Sequence, residues 1–200
     1  MEKRKVVFLK NPKTASSSIE DALSRMKKSK ILVGVGIHGH DSASVVRSRS
    51  TKSYDNSFVL VSARNPYSRL LSAYQYLVEN KQDKPIHQWV FQCKTFKEFC
   101  LKIPDKINFL NGKCRFYHRQ TNWISLNGTK SYDFLIRYES LQSDWDKFTR
   151  NFTNEAIKLS TIRKSTHEKW KSIYDKDMRD IVYRIYENDF DLLKYSKEIK

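Results

Sequence analysis

The sequence predicts an α/β fold built on a parallel sheet. Three observations carry that reading. A short apolar run, a turn and an amphipathic helix follow one another twice within the first 80 residues, the order that a parallel sheet with crossover helices requires. Both apolar runs are continuous rather than alternating, as expected of strands buried on two faces. The chain has 200 residues, of which 39% are hydrophobic and 13% aromatic. At that size about 70% of the unfolded surface can be buried, so no disulfide or metal staple is needed. Five glycines and four prolines exclude a low-complexity or collagen-like chain. The expectation is one globular domain over 1–200.

The elements follow in order. Lys5 to Leu9 (KVVFL) reads as a short buried strand ended by Asn11-Pro12. From Ser16 to Lys28, apolar residues at Ile19, Ala22, Leu23 and Met26 have helical spacing, and the serines at its start suit a helix N-terminus. Ile31 to Val35 is a second strand candidate, and glycines at 34, 36 and 39 then break the chain near His38 and His40. Ser42 to Arg49 is a short helix with a basic face. Phe58 to Ala63 (FVLVSA) is the strongest buried strand, ended by Arg64-Asn65-Pro66, with a helix expected from about Tyr67 to Val78. Residues 80–94 read as a surface excursion, 95–103 as a short helix and 104–122 as irregular. A hairpin turn is expected at Asn127-Gly128, then a strand within 132–138, a helix over 141–152 and the longest helix over 174–193.

Charge points to an anionic partner. Thirty-eight Lys and Arg against 22 Asp and Glu leave a formal charge of +16, which suits nucleic acid, a membrane surface, a nucleotide or an acidic glycan. No apolar stretch approaches the ~18–20 residues of a membrane span, and the basic N-terminus is followed by too short an apolar run for a secretory leader. The expected location is therefore cytoplasmic. Cys93, Cys100 and Cys114 are odd in number and form no CxxC pair, so neither a disulfide framework nor a zinc site is expected, and no metal. Asn127 and Asn151 sit in glycosylation acceptor patterns, which without a leader are read as chance matches.

Two segments carry the chemistry. The first is Asn11-Pro12-Lys13-Thr14-Ala15-Ser16-Ser17-Ser18, between strand and helix. Backbone N–H groups at a helix N-terminus point at an anion and the helix dipole favours it; hydroxyls add donors and Lys13 a positive charge. It is not the nucleoside triphosphatase loop GxxxxGK[ST], because both glycines are missing. A Ser-capped helix beside an exposed lysine is the plainer alternative. The second segment is Arg64 to Tyr74, RNPYSRLLSAY. Metal-dependent nucleotide hydrolases commonly place an Asp after such a strand; Arg64 there argues for a second anion site. Ser72 lies eight residues on, about two helical turns into the next helix. An Arg paired with a surface carboxylate is the alternative.

Together these motifs resemble those of sulfotransferases that use 3′-phosphoadenosine-5′-phosphosulfate (PAPS). PKTASSS is similar to the family's 5′-phosphosulfate loop and RNPYSRLLSAY to its 3′-phosphate motif, in wording closest to the carbohydrate branch of chondroitin and heparan sulfate 2-O sulfotransferases and their short bacterial and viral relatives. Gln120 to Trp123, Asp133 to Leu141, Lys164-Ser165-Thr166-His167 and Ile185 to Phe190 also resemble family segments; residues 78–119 match least. The resemblance implies a three-layer, nucleotide-kinase-like P-loop fold around a central parallel sheet. It implies that Lys13, Thr14, Ala15, Ser16, Ser17 and Ser18 hold the 5′-phosphosulfate, that Arg64 and Ser72 hold the 3′-phosphate, and that Lys164 and Ser165 lie near the nucleotide. No membrane anchor is expected within these residues, unlike the Golgi enzymes of that branch, and a Golgi-type protein trimmed of its anchor stays open as the alternative.

Sulfuryl transfer to a hydroxyl needs in-line positioning, a base and positive charge at the leaving phosphate. Lys13 suits the last role. Of five histidines, at 38, 40, 87, 118 and 167, the family pattern favours His40, since relatives carry a His followed by small residues about 24 positions before the 3′-phosphate Arg; His38 competes. Arg115 and Arg119 are candidates, with His38, for binding a glycan acceptor, which could be acidic. Two other functions stay open at this point: a basic nucleic-acid-binding protein, opposed by the scatter of its cations, and a nucleotide kinase, opposed by the missing glycines.

Overall fold

A computed structural model describes residues 5–32, 34–38, 41–49, 51–80, 84–113, 115–160 and 170–199, with the backbone alone at 37, 38 and 107–113. In chain order the first elements are β1 (Lys5–Leu9), α1 (Ser16–Lys28), β2 (Gly34–His38), α2 (Ala43–Arg49), α3 (Thr51–Asp55), β3 (Phe58–Ala63) and α4 (Pro66–Glu79). Then come α5 (Pro85–Gln92), α6 (Phe96–Lys113), α7 (Thr121–Ile124), β4 (Ser125–Leu126), β5 (Thr129–Lys130), β6 (Phe134–Arg137), α8 (Leu141–Thr149), α9 (Trp170–Ile173) and α10 (Lys176–Leu193). The chain divides into two compact units, Met1–Arg64 with Gln120–Lys164, and Asn65–Arg119 with Ser165–Lys200.

The first unit is a central parallel sheet flanked by helices, in the order β2-β1-β3-β6. Both faces of β1 are buried. Val6 and Phe8 join a core with Ile19, Leu23 and Met26 of α1, Leu60 of β3, Ile136 of β6 and Trp145 and Phe148 of α8, while Val7 and Leu9 are buried on the other face. That two-sided burial is why the strand sequences run apolar without alternation. The hairpin β4–β5 turns on Asn127 (φ 49°) and Gly128 (φ 78°), the left-handed pair that an Asn-Gly turn supplies.

The second strand is displaced from the expected 31–35 to Gly34–His38. Leu32 is instead buried in the core as the chain leaves α1, and two of the three glycines that read as breakers, Gly34 and Gly36, lie inside β2. They are tolerated because β2 pairs with β1 through backbone groups, Lys5 with Gly34 through Leu9 with His38, and the Lys5 side chain covers Gly34.

The second unit is helical, with a core of α4, α5, α6 and α10 residues including Tyr67, Leu71, Val90, Phe99, Ile103, Met178 and Phe190. Its helices start on local signals: Asn65 accepts a hydrogen bond from the Tyr67 N–H and Pro66 stands in the first turn, and Asp175 accepts from the Met178 N–H. Two expectations are corrected here. The excursion at 80–94 contains α5, which buries Ile86, His87 and Val90 and has Pro85 in its first turn. The irregular stretch from 104 is helical to Lys113, passing through Pro104, because Phe99, Cys100 and Ile103 anchor the preceding turns in the core. The last helix turns off its axis at Tyr186 (φ −112°, ψ 20°), whose hydroxyl donates to the Tyr117 carbonyl at 2.9 Å.

Candidate functional site

The sheet order locates a site before any side chain is considered. From β1 the chain goes through α1 to β2 on one side; the next strand, β3, lies on the other side of β1. The carboxyl ends of β1 and β3 therefore flank the point where strand order reverses, where open α/β sheets bind ligands. The two anion motifs of the sequence begin there, Asn11–Ser18 directly after β1 and Arg64 directly after β3.

The loop after β1 has an unusual backbone. Lys13 (φ 66°) and Ala15 (φ 62°) are left-handed although neither is glycine, and left-handed residues of this kind occur in the backbone nests that bind anions. Each such residue costs about 1–2 kcal/mol. Ala15 is the N-cap of α1 and supplies no side-chain cap, unlike the caps of α4 and α10. The Ser18 N–H bonds back to the Ala15 carbonyl at 3.1 Å, and the first turn of α1 contains no acidic residue to compete with an anion. Lys10 and Glu20 clamp the loop's start to α1 through a 2.5 Å ion pair.

Behind the loop lies a buried polar network. The Thr14 hydroxyl donates to the Asn11 carbonyl and meets the Ser62 hydroxyl, each at 2.7 Å. Asn11 Nδ2 donates to the Ser62 carbonyl and to Gln120 Oε1, each at 3.2 Å. Gln120 grips the Arg64 backbone on both sides: the Arg64 N–H donates to its Oε1 at 3.0 Å and its Nε2 donates to the Arg64 carbonyl at 2.8 Å. The Arg64 guanidinium carbon lies 3.9 Å from the centroid of the Tyr138 ring, a cation–π contact. Asn11, Thr14, Ser62 and Gln120 are fully buried and Arg64 is 2% exposed. A family model described as the sulfotransferase family matches residues 1–196. The chain belongs to the sulfotransferase family. No curated protein and no solved structure matches it.

Family membership makes the protein a transferase of sulfuryl groups and implies a sulfate donor such as PAPS. The residues of the loop suit such a donor: an uncapped helix N-terminus, a left-handed backbone and a lysine form a set that accepts no cation but receives an oxyanion. Among the described residues, no group of three or more His, Cys, Asp or Glu could hold a metal ion.

The fold of this sulfotransferase places the expected site residues in different surroundings. Ser17 is exposed and Ser18 half-buried at the start of α1, while Ser16 is buried. Thr14 spends its hydroxyl on the fold, so its side chain is not an open donor, contrary to the reading of the loop as a row of available hydroxyls. His38 ends β2 with its backbone paired to Leu9; His40, Lys164 and Ser165 lie outside the described residues. Ser72 is buried on α4 in the second unit. In the same unit Arg115 is exposed, and Arg119 is exposed with its Nε donating to the Ile185 carbonyl at 2.9 Å. Asn11, Ser62, Gln120 and Tyr138 were not expected as site residues. The partners are 51 and 109 positions apart for Asn11 and 56 apart for Gln120 with Arg64, separations at which no local pattern carries a signal.

Proposed function

We propose that this sulfotransferase moves the sulfuryl group of PAPS to a hydroxyl of a carbohydrate acceptor. The observation that carries the donor half is the placement of two anion motifs at the carboxyl ends of β1 and β3, one ending in an uncapped helix and the other opening on a buried arginine. A donor with phosphate groups at both ends of one adenosine needs two such motifs. Lys13 to Ser18 hold the 5′-phosphosulfate, with Thr14 acting through its backbone N–H, and Arg64 and Ser72 hold the 3′-phosphate; Lys164 and Ser165 approach the nucleotide. The 3′ motif is what separates this donor from ATP.

In the reaction the acceptor oxygen forms a bond to sulfur as sulfur parts from the bridging oxygen of the 5′-phosphate. The acceptor's proton passes to His40, and Lys13 stabilises the charge that develops on the leaving phosphate. Adenosine 3′,5′-bisphosphate remains. His38, Arg115 and Arg119 contribute to acceptor binding, and the excess positive charge of the chain suits an acidic glycan.

The test is a screen of glycan, phenol and small-alcohol acceptors with sulfur-labelled PAPS. Label in a glycan, with transfer falling roughly 10²–10⁴-fold in His40→Ala while adenosine 3′,5′-bisphosphate still binds, supports the reading. Label in phenols alone overturns the carbohydrate assignment, and undiminished turnover by His40→Ala overturns the base.

A further inference from the structure

We infer that Gln120 is a positioning residue that sets the spacing between the two anion sites of the donor. The inference rests on the donor reading above and adds what holds its two halves in register. The pairing of β1 with β3 ends at Leu9 with Val61. Beyond that rung each strand runs into one of the two motifs, and no backbone ladder ties them. Side-chain amides take over there. Asn11, two residues past β1, donates to the carbonyl of Ser62, and Gln120 receives Asn11's second bond while engaging both the N–H and the carbonyl of Arg64.

The Gln120 amide thus acts as an extra rung, with the same donor and acceptor pair that a neighbouring strand would present. It joins the loop that begins at Asn11 to the backbone of Arg64. The Arg64 head is held separately, against Tyr138. Gln120 is fully buried, so water does not compete for these bonds, and loss of the side chain leaves the Arg64 N–H and carbonyl without this partner.

A rung of this kind matters little to a ligand that occupies one site. It matters to a ligand that occupies both, because the second contact is then intramolecular and depends on the distance between sites. The expected signature is selective loss of affinity for the two-ended ligand, which a general loosening of the fold does not produce.

The experiment measures dissociation constants for adenosine 3′,5′-bisphosphate and adenosine 5′-phosphosulfate by titration calorimetry, using the full chain as wild type, Gln120→Met and Gln120→Asn. Gln120→Met keeps the side-chain length and removes the amide. The expected result is a loss of roughly tenfold or more for the bisphosphate, with the single-ended phosphosulfate changed by less than about threefold. In an Arg64→Ala background, Gln120→Met should add almost nothing, since the amide acts through Arg64. Equal losses for both ligands, or an unchanged bisphosphate affinity, overturn the inference while leaving the donor reading in place. Wild type that binds no bisphosphate overturns both. If Gln120→Met does not fold, Gln120→Asn decides by the same ratio, because it keeps an amide but shortens its reach to the Arg64 backbone.

Discussion

Replacing Ala15 with glycine should stabilise the protein, although the residue begins a helix in which glycine is ordinarily unfavourable. Ala15 has φ 62° and ψ 22°. A Cβ in that region is strained by about 1–2 kcal/mol, which glycine removes. Against this, glycine adds freedom to the unfolded chain, offsetting about 0.4–1 kcal/mol. N-cap preference points the same way, since glycine ranks above alanine there. The net expectation is a gain of about 0.5–1 kcal/mol, or roughly 1–4 °C in Tm for a chain of this length. Urea denaturation of wild type and Ala15→Gly measures it, with Ala22→Gly as the control. Ala22 is buried within α1, and there the same change should cost about 1 kcal/mol or more. Destabilisation by Ala15→Gly comparable to the control would refute the left-handed loop and with it the anion cradle.

Three further outcomes are expected. Arg64→Lys should weaken adenosine 3′,5′-bisphosphate binding by roughly tenfold in a calorimetric titration, because a lysine keeps the charge but not the planar fork or the stacking on Tyr138. Burial pushes the Tyr67 phenol up to about 12, so above pH 10 the unfolded chain loses this proton before the native one does; stability should fall between about pH 10 and 12 by up to roughly 2–3 kcal/mol. Tyr67→Phe should flatten that alkaline slope while costing about 1 kcal/mol at pH 7 for the lost bond to the Lys197 carbonyl. The Lys97 ammonium, 2.8 Å from Asp175, and the Met178 N–H hold the Asp175 carboxyl below its ordinary value, a contribution present above about pH 4 and lost as pH falls. Asp175→Ala should therefore cost about 1 kcal/mol at pH 7, with the gap to wild type narrowing in denaturation at pH 3.

What local chemistry encodes could be read from the sequence. The bounds of β1, α1 and β3 follow from apolar runs and helical spacing, and the segments after β1 and β3 were legible as strand-to-helix turns because strand, loop and helix are contiguous there. Where tertiary context decides, the pattern was silent or misleading. Residues 80–94 read as a surface excursion and 104–122 as irregular, yet the first holds α5, starting at Pro85, and α6 runs through Pro104 into the second. The Thr14 hydroxyl looked available but is turned to Asn11 and Ser62, a choice made by the neighbouring strand 48 residues away. Gln120 was legible only as part of a family-like segment, because its partner Arg64 is brought to it by the sheet and by nothing in its own surroundings.

The central claim is that the crevice at the ends of β1 and β3 binds one nucleotide by phosphates at both ends. Thermal denaturation with adenosine 3′,5′-bisphosphate, ATP or an oligonucleotide, without added metal, tests it most directly. At about 100 times its dissociation constant the bisphosphate should add about 2.7 kcal/mol, equivalent to roughly 5–10 °C, and this shift should shrink in both Lys13→Ala and Arg64→Ala, with ATP and the oligonucleotide far weaker. Stabilisation by ATP or the oligonucleotide with none by the bisphosphate would contradict the account.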